Sequence, residues 1–274
     1  MEQYSKLSYT IIICAAIAAS SHTASADSNL SFYGGYTFKN AAQGHQIFGP
    51  NAAGGASPYS DSKSGTWAAV KMRYSWGDQF AGLTLQNINV GTGAPNNGIS
   101  NVIPEIGIEG RIFDLEYGRG FNLGNGTAKW AVGLRHAQFD TETYNFGVGT
   151  GPLHEFSGTG IHVGIETEKP LQAQGWSWFS EGGISILKGD IVSSGQGGWG
   201  FADATDTSTT ATALDAKIGF NYQAGNNMSW MFGYQVQYWN DVTVAISDDS
   251  GAGLNVGKSD LLFHGPFVGL KMTF

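Results

Sequence analysis

The strongest constraint lies at residues 214–238, where apolar and polar side chains alternate with a period of two. Leu214, Ala216, Ile218, Phe220 and Tyr222 alternate with Asp215, Lys217, Gly219 and Asn221. After a short Gly-Asn-Asn turn, Met228, Trp230, Phe232, Tyr234, Val236 and Tyr238 alternate with Ser229, Met231, Gly233, Gln235 and Gln237. A helix would scatter these aromatics around every side, whereas a strand gathers them on one face. An aromatic face this long, backed by a polar one, suits a strand with lipid on one side and a polar interior on the other.

Similar segments recur along the chain at about 29–38, 66–76, 79–90, 105–118, 128–140, 155–168, 176–189, 212–223, 227–240 and 259–274. They predict an all-β fold, an antiparallel transmembrane β-barrel of about ten strands, with eight to twelve also compatible. Each segment meets the ~9–11 residues that a tilted crossing needs. The connections at 77–78, 119–127, 169–175 and 224–226 are short, and those at 39–65, 91–104, 141–154, 190–211 and 241–258 are long. Short periplasmic turns and long extracellular loops are the asymmetry of such barrels. Closure is required, because an open edge in hydrocarbon leaves backbone groups unpaired. One segment is irregular: Ile106 and Ile108 share one parity, but Phe113, Leu115 and Tyr117 share the other. A bulge near Ile112 would reconcile them.

The ends agree with export. Lys6, the apolar run Leu7 to Ala19 and Ala24-Ser25-Ala26 read as a cleaved signal peptide spanning residues 1–26, leaving 27–274 as a single barrel domain. The apolar run is too short for a helical span. Cys14 lies within it, so the mature chain has no cysteine for disulfides, zinc or thiol chemistry. The composition, with 41 Gly, 13% aromatic residues, 13% charged residues and a mean hydropathy of −0.14, fits a barrel that averages an apolar outside with a polar inside. The net charge is −8, and no basic patch indicates a nucleic-acid partner. Val268, Leu270, Met272 and Phe274 share one parity at the terminus, the kind of C-terminal strand read by outer-membrane assembly machinery. The expected partners are therefore that machinery and outer-membrane lipid, with an oligomer also allowed.

Trp67, Trp76, Trp130, Trp176, Trp178, Trp230, Tyr238 and Trp239 fall toward strand ends, where interfacial girdles form. The parity assigned to the lumen carries Lys71, Arg73, Glu109, Arg111, Asp114, Glu116, Lys129, Arg135, Glu166, Glu168, Glu181, Asp215, Lys217 and Lys271. Charges facing lipid near midplane cost about 2–4 kcal/mol for Arg or Lys, so they turn inward. They line a polar pathway or form a salt-bridged filling. Inward Gly133, Gly160, Gly164, Gly219 and Gly233 would leave space beside them.

Catalysis is not indicated. His22, His45, His136, His154, His162 and His264 sit in no motif that pairs them with a nucleophile, and His154-Glu155 lacks the second histidine of HExxH. Asp203, Asp206, Asp248 and Asp249 lack the spaced ligand set of an EF-hand loop and read as solvated loop acids. No catalytic, cofactor or metal residue is assigned.

Several ordered segments resemble the Legionella major outer membrane protein family. They are TWAAVKMRYSWGDQFAGLTL at 66–85, DLEYGRGFNL at 114–123, GLRHAQF at 133–139, FSGTGIHVGIETEKPL at 156–171, ISILKGD at 184–190 and HGPFVGLKMTF at 264–274. The resemblance implies a pore in the outer membrane of a Gram-negative bacterium and brings no catalytic motif. The leading functional expectation is therefore a porin-like passage for ions or small hydrophilic solutes. The alternative is a closed barrel serving as a surface anchor or adhesin through its loops, since ten strands lie near the filled end of the barrel series.

Overall fold

The computed structural model describes residues 26–38, 64–90, 105–145, 149–194, 205–249 and 253–274. The expected signal segment 1–25 lies outside them, as do Asp61, Asp203 and the side chains of Asp248 and Asp249. Within the described residues the strands are β1 (Ala26–Thr37), β2 (Gly65–Trp76), β3 (Gln79–Val90), β4 (Glu105–Leu123), β5 (Gly126–Asn145), β6 (Gly149–Pro170), β7 (Trp176–Ser194), β8 (Thr205–Gln223), β9 (Met228–Asp249) and β10 (Gly253–Thr273). Each pairs antiparallel with its neighbours in sequence, and β1 closes on β10 from Asn29↔Thr273 to Gly35↔Phe267. Ser28 and Phe274 exchange two backbone hydrogen bonds of 3.3 and 2.9 Å, sealing the seam to its last residue. Closure leaves no ladder edge facing lipid.

The short turns follow backbone chemistry. Gly77-Asp78 and Gly124-Asn125 are two-residue links with φ of 61° and 62° at the glycine. A positive φ at the first central residue is the II′ geometry that matches strand twist, and glycine adopts it without a Cβ clash.

Two expectations about the strands need correction. The segments 141–154 and 241–258 are mostly strand, because β5 runs to Asn145, β6 starts at Gly149, β9 runs to Asp249 and β10 starts at Gly253. Nor does β4 bulge at Ile112, since it pairs with β3 and β5 in unbroken register. Register shifts occur instead at Glu142/Tyr144 and Ser259/Leu261.

One cause explains both differences. In the periplasmic half the outer face is apolar, with Phe113, Leu115, Val132, Leu134, Ile161, Val163, Ile165, Ile184, Ile186, Leu214 and Ile218 exposed on it. Higher on the same strands and the same face stand Asn87, Asn89, Glu109, Arg111, Ser157, Glu155, Lys188 and Asp190. On the inner face the order reverses, with Ile88, Ile108, Phe139, Phe156, Leu187, Ile191, Leu261 and Phe263 buried in the extracellular half. The strands continue out of the lipid into water, so their apolar face changes sides. Ile108 and Phe113 have opposite parities for this reason alone.

Candidate functional site in the barrel interior

Twelve of the fourteen charged residues expected in the lumen face the interior: Lys71, Arg73, Asp114, Glu116, Lys129, Arg135, Glu166, Glu168, Glu181, Asp215, Lys217 and Lys271. Glu109 and Arg111 do not. Their side chains are 51% and 58% exposed on the outer wall, where they lie 3.8 Å apart, whereas Asp114 on the same strand is 4% exposed inside. Because β4 keeps its register, odd-numbered residues stay outside, and at that height outside means water. Losing one charge of each sign leaves six cations and six anions within.

The inward charges are connected across the barrel. Arg73 on β2 makes a bidentate pair with Glu166 on β6, both contacts at 2.7 Å, and Lys71 also bonds Glu166. Lys71 approaches Glu181 at 3.9 Å and Lys217 approaches it at 3.4 Å. Arg135 on β5 donates to Asp114 on β4, at 2.6 and 2.9 Å, and to Asp215 on β8. Gln86 on β3 donates to Gln237 on β9 at 2.9 Å, and Gln237 donates in turn to Asp215 at 3.0 Å. Since β2 and β6, β5 and β8, and β3 and β9 are not ladder neighbours, the Arg73–Glu166, Lys71–Glu166, Arg135–Asp215 and Gln86–Gln237 bonds are struts across the lumen. The aliphatic and aromatic walls assist: Arg73 lies 4.0 Å above the Phe80 ring and Lys217 4.9 Å above Tyr33.

Above the ionic layer sits an aromatic one that parity counting missed. Phe139 meets Trp239 edge-on at 4.8 Å between ring centroids, and stacks near Phe156 and Phe263 at 6.3 and 6.0 Å. These rings come from β5, β9, β6 and β10 and are all at most 1% exposed. Trp67 and Trp239 belong to this interior, at 3% and 0% exposure, and so correct their placement in a girdle. Trp76, Trp130, Trp176 and Trp230 are exposed on the outer face near its periplasmic edge, with Tyr74, Tyr117 and Tyr222 beside them. The inward glycines do not leave space. A Cβ on Gly233 would meet the Phe267 ring at 2.8 Å, one on Gly219 the Phe179 ring at 2.9 Å, and one on Gly164 the His162 ring at 3.2 Å.

His162 has partners that its sequence neighbourhood did not reveal. Its Nδ1 is 2.9 Å from Ser185 Oγ, its ladder neighbour on β7, and its Nε2 is 3.6 Å from Glu116. Carboxylate, imidazole and hydroxyl in line are the elements of nucleophilic catalysis, but access decides what they do. Ser185 is 1% exposed, and the cavity beside His162 measures about 70 Å³, which suits a few waters. His162 thereby links Ser185 across the β6–β7 ladder to Glu116 on β4. His136 pairs with Thr159 at 2.9 Å on the outer wall, and His264 with Tyr234 at 2.6 Å.

A second cavity of about 70 Å³ lies toward the periplasmic mouth, bordered by Lys129, Lys271, Glu168, Asn221, Ser31 and Thr127 among others. Between the cavities stand the Lys71–Arg73–Glu166 struts.

No curated protein matches the sequence. Among solved structures, the translocator domain of autotransporter NalP from Neisseria meningitidis is 10% identical, with 99% of this chain and 96% of that chain covered and a TM-score of 0.44. The outer membrane protease OmpT from Escherichia coli is 12% identical, with 93% of this chain and 100% of that chain covered and a TM-score of 0.44. The β domain of the Bordetella autotransporter BrkA is 11% identical, with 92% and 100% covered and a TM-score of 0.42. The sequence model of the family described as Legionella pneumophila major outer membrane protein precursor matches residues 68–274, well over half of the chain. With a closed barrel belted by exposed apolar residues and this match over nearly all its strands, the chain is an outer-membrane protein of the Legionella major outer membrane protein family.

Proposed function

We propose that this protein is a closed outer-membrane barrel, free of catalysis, that acts as a surface anchor or adhesin through its extracellular edge. The observation that carries the reading is the filled interior: ionic struts join opposite walls at membrane level, and an aromatic layer caps them. A hydrated ion would have to part both layers. The connecting sequences at 39–63, 91–104 and 195–204, rich in Gly and Ala with Asn and Ser, then supply the contact surface. Deleting the long loops should abolish attachment to host cells while the barrel still assembles, and attachment that survives would remove the reading.

The porin-like reading, passage of ions or small hydrophilic solutes, draws support from the charged lower half with its two water-sized cavities. It requires displacement of the Phe139–Trp239 layer. Planar-bilayer recording separates the two: discrete conductance steps from the unmodified protein favour the pore, and a flat trace favours the closed barrel. In either reading the C-terminal strand ending at Phe274 is the segment that assembly machinery would engage, the apolar belt contacts lipid, and an oligomer remains compatible.

A further inference from the structure

Among the described residues, the interior cations divide into two groups. Lys71, Arg73, Arg135 and Lys217 each reach a carboxylate, whereas Lys129 and Lys271 are not ion-paired. Both unpaired lysines border the cavity at the periplasmic mouth. Glu168, which borders the same cavity, accepts through Oε1 from Ser177 at 2.6 Å and from Asn221 Nδ2 at 2.9 Å. Of the charges on that cavity, Lys71, Arg73, Lys129 and Lys271 face Glu166, Glu168 and Glu181, four cations against three anions. The one excess positive charge in the recess is balanced when a further anion enters it.

A second observation concerns Asn221. It is 8% exposed, its amide nitrogen is held by Glu168, and its Oδ1 has no hydrogen-bond partner. Because the nitrogen is fixed on a carboxylate, the free atom is an acceptor. A buried acceptor left unmatched costs free energy, and Asn221 is one of the residues that line the same cavity as the lysines. The complementary ligand therefore carries negative oxygens for the two ammonium groups and one O–H donor for the amide oxygen. Acetate and sulfate at neutral pH lack that donor, and a hydrogen phosphate has it.

We propose that the periplasmic vestibule between Lys129, Lys271 and Asn221 is a binding site for a soluble phosphate group in its protonated form, entering from the periplasm. The assignment does not depend on whether the barrel conducts. Lysine suits it as a compact point charge toward phosphate oxygen. Both side chains face the interior, so a bilayer lipid headgroup would have to leave its leaflet to reach them.

The test uses the full-length protein purified from outer membranes in a non-ionic detergent, with inorganic phosphate as probe at constant ionic strength in chloride. Phosphorus NMR line broadening should be saturable. Sulfate should compete at least about tenfold less well than phosphate, a comparison that needs no variant. The Lys129→Gln/Lys271→Gln double variant should bind at least about tenfold more weakly, while Lys188→Gln, exposed on the outer wall, should bind as the unmodified protein does. Heat-modifiable gel migration reports whether each variant is a folded barrel. Unsaturable broadening, sulfate competing as well as phosphate, or a folded double variant with unchanged affinity would overturn the site. A short-chain phosphatidate displacing phosphate at tenfold lower concentration would overturn the assignment to a soluble ligand.

Discussion

Replacing Val163 with Arg should destabilise the barrel far more than replacing Ser157 with Arg. Both residues are exposed on the outer face of β6, share its parity and border no interior cavity. Val163 sits among Val132 and Ile184, near the middle of the apolar belt. Ser157 is six residues further along β6, beside Gln138 and Asp190. Six residues at ~3.4 Å cover ~20 Å along the strand, and a tilt of ~40° leaves ~16 Å along the bilayer normal. Half of an apolar band ~25 Å tall is ~12 Å, so Ser157 lies outside the hydrocarbon. Arginine near midplane costs about 2–4 kcal/mol and near the interface about 0–1. The difference of ~2–3 kcal/mol is a factor of ~30–150 in the folding equilibrium. Reversible urea titration in lipid vesicles, followed by tryptophan fluorescence, measures it. Equal costs for the two variants, or a larger cost at Ser157, would refute the placement of the membrane and the inversion of the strand faces with it.

Other perturbations read the interior. Arg135→Met leaves Asp114 and Asp215 without their shared cation and should cost about 3–5 kcal/mol in the same titration, whereas Arg119→Ala, which breaks an exposed turn pair with Asp78, should cost under about 1 kcal/mol. Phe139→Ala opens a void against Trp239, Phe156 and Phe263 and should cost about 3–5 kcal/mol, seen as a lower midpoint with an unchanged slope. The expected cleavage after Ala26 would give a mature chain beginning Asp-Ser-Asn-Leu, and intact Met1 in the mass spectrum of outer-membrane material would contradict it.

The barrel was legible because lipid imposes a rule on every second residue. From Leu214 to Tyr222 and Met228 to Tyr238 that rule holds without a break, and β8 and β9 lie where the alternation put them. It failed above the lipid, where the outer face meets water. Parity places Glu109 and Arg111 inward only on the premise that a charge avoids the wall, which is valid beside hydrocarbon and not above it. Ile106 and Ile108 then demanded a bulge that β4 does not contain. The struts were illegible for another reason. Lys71 and Glu166 stand 95 residues apart, and which inward charges meet depends on closure and stagger, which a single strand's pattern does not encode. His162 and Ser185, by contrast, are ladder partners, and their pairing was readable once the β6–β7 register was known.

The inversion of faces also bears on what the molecule is built to do. At membrane level the outside must be apolar, so polar groups collect inside and are tied off by Arg73, Lys71 and Arg135. Such pairs yield little net stability, because desolvation offsets much of their attraction. Beyond the lipid this restriction ends. There the barrel holds Phe139, Phe156, Leu187, Ile191, Leu261 and Phe263 inside and polar residues outside, the arrangement of a water-soluble β-barrel with its own core. Burial of these side chains contributes about 1.5–3 kcal/mol each relative to exposure, an upper estimate but a term without a desolvation penalty. The extracellular half therefore has its own source of rigidity, and it extends the wall past the membrane toward the loops. The apolar core across the bore supports the proposed closed platform and weighs against a conduit, which gains nothing from it.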